Sequence, residues 1–130
     1  MALIAADTTF LIDLSRESGR DSGPVHDFLN RHLQDEFSLS ITALGEFAAG
    51  FADTTDETFI AVKAHFTLRP MDDSDAWHYR EIFRFLKERG ELIGANDLWI
   101  AATALKHGEP LVTRNAREFQ RVPGLQILTY

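Results

Sequence analysis

Short apolar runs, each followed by a stretch with helical periodicity, constrain this chain more than any other feature. Leu3–Ala6 is the first, and Thr8–Leu14 after it reads as a helix or a turn of helix. Phe37–Ile41 is the second; Thr42 then caps a helix carrying Leu44, Phe47 and Ala48, with Glu46 in its capping-box region. Leu111–Thr113 and Leu125–Thr129 complete the series, the last of them a possible edge. Amphipathic stretches fill the intervals. Val25, Phe28, Leu29 and Leu33 share a stripe between Pro24 and about Gln34, with the proline near the first turn, where its missing N–H costs little. Asp56–Phe66 carries Phe59, Ile60, Val62 and Phe66; Ala76–Arg89 ends at Gly90; a further helix starts at Asn96 or Asp97 and closes at Gly108. Connections this long cannot be hairpins. Strand and helix in alternation imply a mainly parallel sheet covered on both faces, an α/β/α arrangement.

With 130 residues and 45% hydrophobic content, the chain reads as one domain, 1–130, with a real core. The absence of cysteine excludes disulfides, thiolate metal sites and a cysteine nucleophile. No apolar run reaches membrane-spanning length and no basic leader precedes one, so the expectation is a cytoplasmic protein with no membrane partner. The net charge of −7 argues against gripping nucleic acid by charge alone. It leaves open a nucleic acid substrate reached through metal ions. Within residues 96–130 the balance reverses: Asp97, Glu109 and Glu118 stand against Lys106, Arg114, Arg117 and Arg121.

In a parallel α/β sheet, ligands bind beyond the carboxyl ends of the strands. Asp7 follows the first strand, Glu46 lies one turn into the helix after the second, and Asp97 opens a helix entering the same edge. Thr113, Arg114 and Asn115 end the Leu111–Thr113 strand. Carboxylates gathered from distant parts of a chain are a hard-oxygen donor set of the kind that holds Mg²⁺ or Mn²⁺. Plainer roles compete with this reading. Asp7 and the Asn96–Asp97 pair are good helix caps, and Asp13 suits orienting the first helix. Asp72-Asp73-Ser74-Asp75 reads as a solvated helix start. The five histidines lack ligand spacing. Trp77, Tyr79, Phe83 and Phe85 suit core or interface, while Arg80, Arg84 and Lys87 suit a solvated face.

Four stretches also carry a resemblance. Ala6-Asp7-Thr8-Thr9-Phe10-Leu11-Ile12-Asp13, Ile41-Thr42-Ala43-Leu44-Gly45-Glu46, the segment from Gly94 to Leu105 and the segment from Leu111 to Phe119 resemble the four motifs of PIN-domain nucleases, most closely the VapC-type toxins of type II toxin–antitoxin pairs. The resemblance runs from residue 3 to the end, and the length suits a PIN domain with nothing appended. It implies a three-layer fold, metal-dependent endoribonuclease activity, homodimerisation and neutralisation by a small antitoxin. Carried over by position, Asp7, Glu46 and Asp97 are the catalytic, metal-binding acids. Thr9 and Thr113 would hydrogen-bond a carboxylate or a nearby water. The fourth acid of the pattern is here Asn115, with Glu118 three residues on. Either Glu118 supplies the missing charge, or a second metal is weakly held.

Hydrolysis of RNA needs a water of lowered pKa and stabilisation of charge on the phosphate, both of which Mg²⁺ supplies, with Mn²⁺ as a substitute. The expected arrangement is one tightly held ion, a second arriving with the substrate phosphate, and Asn115 and Glu118 supporting without direct ligation. Without metal, at least one clustered acid should have a raised pKa. Arg114, Arg117 and Arg121 recur at helical spacing beyond the rim and are expected on RNA phosphates. The substrate class implied is a structured cellular RNA such as tRNA or rRNA. The alternative is a catalytically weak PIN-like module acting through protein or RNA binding. A phosphorylatable receiver domain fits poorly, because no lysine follows position 106 and no aspartate ends a central strand near residues 50–60.

Overall fold

The computed structural model of the chain describes residues 3–130. Its strands are β1 (Leu3–Ala6), β2 (Glu36–Ser40), β3 (Phe66–Arg69), β4 (Leu111–Val112) and β5 (Ile127–Leu128). Its helices are α1 (Thr8–Arg16), α2 (Pro24–Arg31), α3 (Ile41–Ala48), α4 (Glu57–Lys63), α5 (Asp73–Glu88), α6 (Ala95–Lys106) and α7 (Ala116–Phe119). The strands form one sheet in the order β3-β2-β1-β4-β5, and every pairing is parallel. Successive strand residues alternate between two apolar clusters, as the period of two requires. Ile4, Ala6 and Val112 pack with Phe10, Val25 and Phe28. Ala5 and Leu111 pack with Phe47, Leu86, Leu98 and Ile100. Both faces are therefore covered, and the three-layer expectation holds. No described helix is long and apolar enough to cross a membrane.

From β1 the chain winds outward to β2 and β3, then returns to the other side of β1 for β4 and β5. Strand order thus reverses between β1 and β4, which opens a crevice at their carboxyl ends. Asp7 and Thr113 stand on its two sides.

Several element boundaries differ from the sequence reading. The expected helix over Asp56–Phe66 stops at Lys63, and Phe66 begins β3, an edge strand absent from that reading. The cap of α3 is Ser40, whose hydroxyl accepts the Ala43 N–H at 3.1 Å, not Thr42. Helix α6 starts two residues before Asp97 with Gly94 in the cap position, so neither Asn96 nor Asp97 is spent on capping. Helix α5 begins at Asp73, because Asp72 and Asp75 form a reciprocal capping box. Asp75 is also fully buried, so the acidic run is not simply solvated.

Candidate active site

Asp7 is the most enclosed of the candidate acids, 3% exposed at the end of β1. It caps α1 by accepting the Phe10 N–H at 3.0 Å. Its carboxylate also accepts the hydroxyls of Thr9 at 2.7 Å and Thr113 at 2.5 Å. The capping role and the rim position are therefore compatible. Burial raises the Asp7 pKa above its ordinary value, against the opposing hydrogen bonds from Thr113 and Thr9. Thr9 in turn accepts the Arg114 backbone N–H at 3.2 Å, which leaves its own proton directed to Asp7.

Glu46 is not in a capping box. From the second turn of α3 its exposed carboxylate accepts the Thr8 hydroxyl at 2.6 Å and the Asn96 side-chain amide at 3.1 Å. These two bonds tie α3 to the starts of α1 and α6. Asp97, in the first turn of α6, is half-buried, and its pKa is pushed up to about 6. Burial is the main cause, followed by the negative charges of Glu118, Asp7 and Glu46 in that order. The four carboxylates therefore share one electrostatic neighbourhood, and two of them, Asp7 and Asp97, are raised. Among the described residues, no three acidic or histidine side chains converge closely enough to enclose an ion by themselves.

Asn115 occupies the cap position of α7 without a side-chain cap bond, and its backbone N–H donates to the Thr113 hydroxyl at 2.8 Å. The reciprocal pattern between Asn115 and Glu118 is not formed. The three arginines do not share a helical face, since α7 spans only Ala116–Phe119. Arg114 pairs with Asp13 at 3.0 Å. Arg121 donates to the carbonyls of Glu91 and Leu92, each at 3.3 Å. Arg117 is exposed and has no intramolecular partner among the described residues.

Two partners escaped the sequence reading: Thr8 and Asn96 hold Glu46. Each is the immediate neighbour of a motif acid, the one signal that pointed to them. Asp13 also gains a role there, since it accepts the Tyr130 hydroxyl at 2.7 Å as well as the Arg114 guanidinium. Burial, then the Asp13 carboxylate, raises the Tyr130 pKa, so this phenol stays a donor.

The PIN domain family model matches residues 4–125. A ribonuclease VapC of Rickettsia bellii is 36% identical over 103 residues, spanning 73% of this chain and 77% of that protein. A ribonuclease VapC1 of Methanocaldococcus jannaschii is 31% identical over 113 residues, spanning 82% of this chain and 83% of that one. Among solved structures, VapBC2 from Rickettsia felis, determined bound to a DNA fragment from its promoter, superposes with a TM-score of 0.80 at 20% identity, covering 98% of each chain. With its four motifs folded onto one crevice, this chain belongs to the PIN-domain family and, within it, to the VapC-type group.

Proposed function

We propose that this protein is an endoribonuclease toxin that depends on Mg²⁺, with Mn²⁺ as a substitute, and is neutralised by a cognate antitoxin. The observation that carries the reading is the cluster itself. Four carboxylates, one from the end of β1 and three from α3, α6 and α7, sit close enough that Asp97 feels the charges of the other three. Such a cluster is unfavourable without a cation, and its all-oxygen donor set suits a hard divalent ion.

Asp7, Glu46 and Asp97 would hold the ion, which keeps several of its own waters and so needs few direct protein oxygens. When bound, it supplies positive charge to the phosphate and lowers the pKa of a water. The protein's own contribution is orientation. Thr9 and Thr113 fix both carboxylate oxygens of Asp7, and Thr8 and Asn96 fix those of Glu46. Ordered carboxylates need little rearrangement as charge develops in the transition state. Asn115 and Glu118 support the site without direct ligation, and Arg117 is free to meet phosphate. A structured RNA such as tRNA or rRNA is the substrate class, and a homodimer is the working form. The named VapC relatives and the VapBC2 structure support the ribonuclease and antitoxin assignments.

The test is cleavage of total cellular RNA by purified protein, stripped with EDTA and then titrated with Mg²⁺. Cleavage should appear with the metal and vanish in Asp97→Asn. Metal-independent RNA binding without any cleavage would favour the binding-module alternative.

A further inference from the structure

Beside the rim lies a cavity of about 290 Å³, bounded by α1, the 17–23 loop and Tyr130. Arg16, Arg20 and Arg114 line it together with Ser22 and Tyr130. In a chain of net charge −7, three guanidinium groups around one small cavity need an explanation. Two acids line it as well, and both are already occupied. Asp13 takes the Arg114 guanidinium and the Tyr130 hydroxyl. Glu17 turns toward α2, where it accepts the N–H groups of Val25 and His26 and contacts the His26 ring nitrogen at 2.7 Å.

The arginines keep unused donors. Arg16 is 68% exposed and has only a 3.7 Å contact with Asp13. The Arg20 side chain has no hydrogen bond or ion pair among the described residues. Guanidinium groups with free planar forks match phosphate oxygens in geometry and charge. We propose that this cavity is a backbone-phosphate subsite for a single-stranded segment of the RNA substrate running off the carboxylate rim, with Arg16 and Arg20 as its contacts. The proposal rests on the ribonuclease reading for its substrate class.

Arg114 joins the two places. Its backbone N–H bonds Thr9, which bonds Asp7, while its side chain reaches Asp13 at the cavity. Along α1 the rise is about 1.5 Å per residue, so Arg16 stands about 12 Å from Thr8. A phosphate held there belongs to a nucleotide a few positions from the bond being cut. Asp13 and Tyr130 are positioning residues in this scheme. The tyrosine ring is fixed edge-on against Phe10 at 5.1 Å, which makes that part of the lining rigid.

The probe is a short fluorescein-labelled single-stranded RNA, with binding followed by anisotropy in EDTA across a salt series. Arg16→Ala and Arg20→Ala should each weaken binding about threefold to tenfold and flatten the salt slope by about 0.7. Arg20→Lys should recover the slope more fully than the affinity, because it restores the charge but not the fork. Arg80→Ala, a surface change at the Arg80–Glu81 pair, should match the wild type. Both test arginines are exposed, and thermal melts equal to the wild type confirm that folding is unaffected. Unchanged affinity and slope in both Arg16→Ala and Arg20→Ala overturn the subsite, even when Mg²⁺-dependent cleavage is present. Reduced binding in those variants supports it even when cleavage is absent, a result that counts against the nuclease reading instead.

Discussion

The carboxylates of the rim and those at the contact between α5 and α6 are the same residue types in opposite surroundings. At the rim, Asp97 faces Glu118, Asp7 and Glu46 and is pushed up to about 6. Between α5 and α6, Asp72 and Asp75 share the Lys106 ammonium at 3.0 and 2.8 Å. Asp75 accepts the Thr103 hydroxyl as well. Asp72 is held down at about 2 by the Ser74 hydroxyl first and Lys106 second. Burial pulls the Asp75 pKa upward, yet Lys106 and its other donors outweigh it and leave the net shift downward. A cluster that contains its own cation is a structural joint. One without a cation has charge left over for a ligand.

The largest expected effect lies at the rim. Asp97→Asn should lower RNA cleavage by about a thousandfold, or roughly 4 kcal/mol in the barrier, while leaving the fold intact. Cleavage assays at saturating Mg²⁺ alongside circular dichroism check both halves. Substantial cleavage in the variant would remove the distinction between the two clusters.

At the α5–α6 joint the same substitution should act on stability. Asp75 is fully buried, and Asp75→Asn leaves the Lys106 ammonium without its buried counter-charge. The expected loss is about 3 kcal/mol in urea unfolding. Pairing it with Lys106→Met should recover part of the loss, since two neutral groups leave no uncompensated charge. A loss well under 1 kcal/mol would mean that the joint is dispensable.

Little in the local sequence separates these clusters. The strand–helix alternation was legible because β1, β2 and β4 are buried runs with helices behind them. Strand β3 was not, because Phe66–Arg69 is an edge strand whose middle residues are exposed, and it follows α4 after two residues. Its preceding helix had enough apolar spacing to absorb Phe66. Motif acids and their convergence could be read from strand ends. The partners of Glu46 could not, because Thr8 and Asn96 meet it only when the ends of α1 and α6 come together. The difference between Asp75 and Asp97 depends on whether a lysine 31 residues away packs against the acid. That contact is tertiary, so the run from Asp72 to Asp75 read as a solvated helix start.

The two clusters should also respond oppositely to pH. The Asp97 pKa is raised above its ordinary value of 3.8, so the folded metal-free protein holds a proton that the unfolded chain releases. That contribution is complete below about pH 3.8 and is lost as pH rises through about 6. At neutral pH the metal-free wild type should therefore be less stable than Asp97→Asn, by an amount on the order of 1 kcal/mol after screening of this half-buried group. Asp72 has the reverse sign: its contribution is present above about 3.8 and is lost as pH falls through about 2. Urea midpoints of the two proteins in EDTA, compared from about pH 4 to pH 7, measure the Asp97 effect. Parallel curves across that range would show Asp97 titrating as an ordinary carboxyl.

The smallest effect bears on how the rim compensates for Asn115. That residue adds no charge, and its side chain makes no cap bond, so Glu118 is not tied up in a reciprocal cap. Of the three charges acting on Asp97, that of Glu118 is the largest. Glu118→Gln should therefore lower the Asp97 pKa by a fraction of a unit, and by more than Glu46→Gln does. Cleavage should rank the other way, because Glu46 is the acid expected on the ion and Glu118 acts on it only through charge. Asn115→Asp should raise the Asp97 pKa further in the metal-free protein and tighten Mg²⁺ binding in calorimetry, since added negative charge favours the cation. Carboxyl titration of Asp97 by NMR, with cleavage rates for the same variants, reads all three changes. If Glu118→Gln is as inactive as Glu46→Gln at unchanged stability, Glu118 touches the ion itself, and the rim has four ligating acids rather than three.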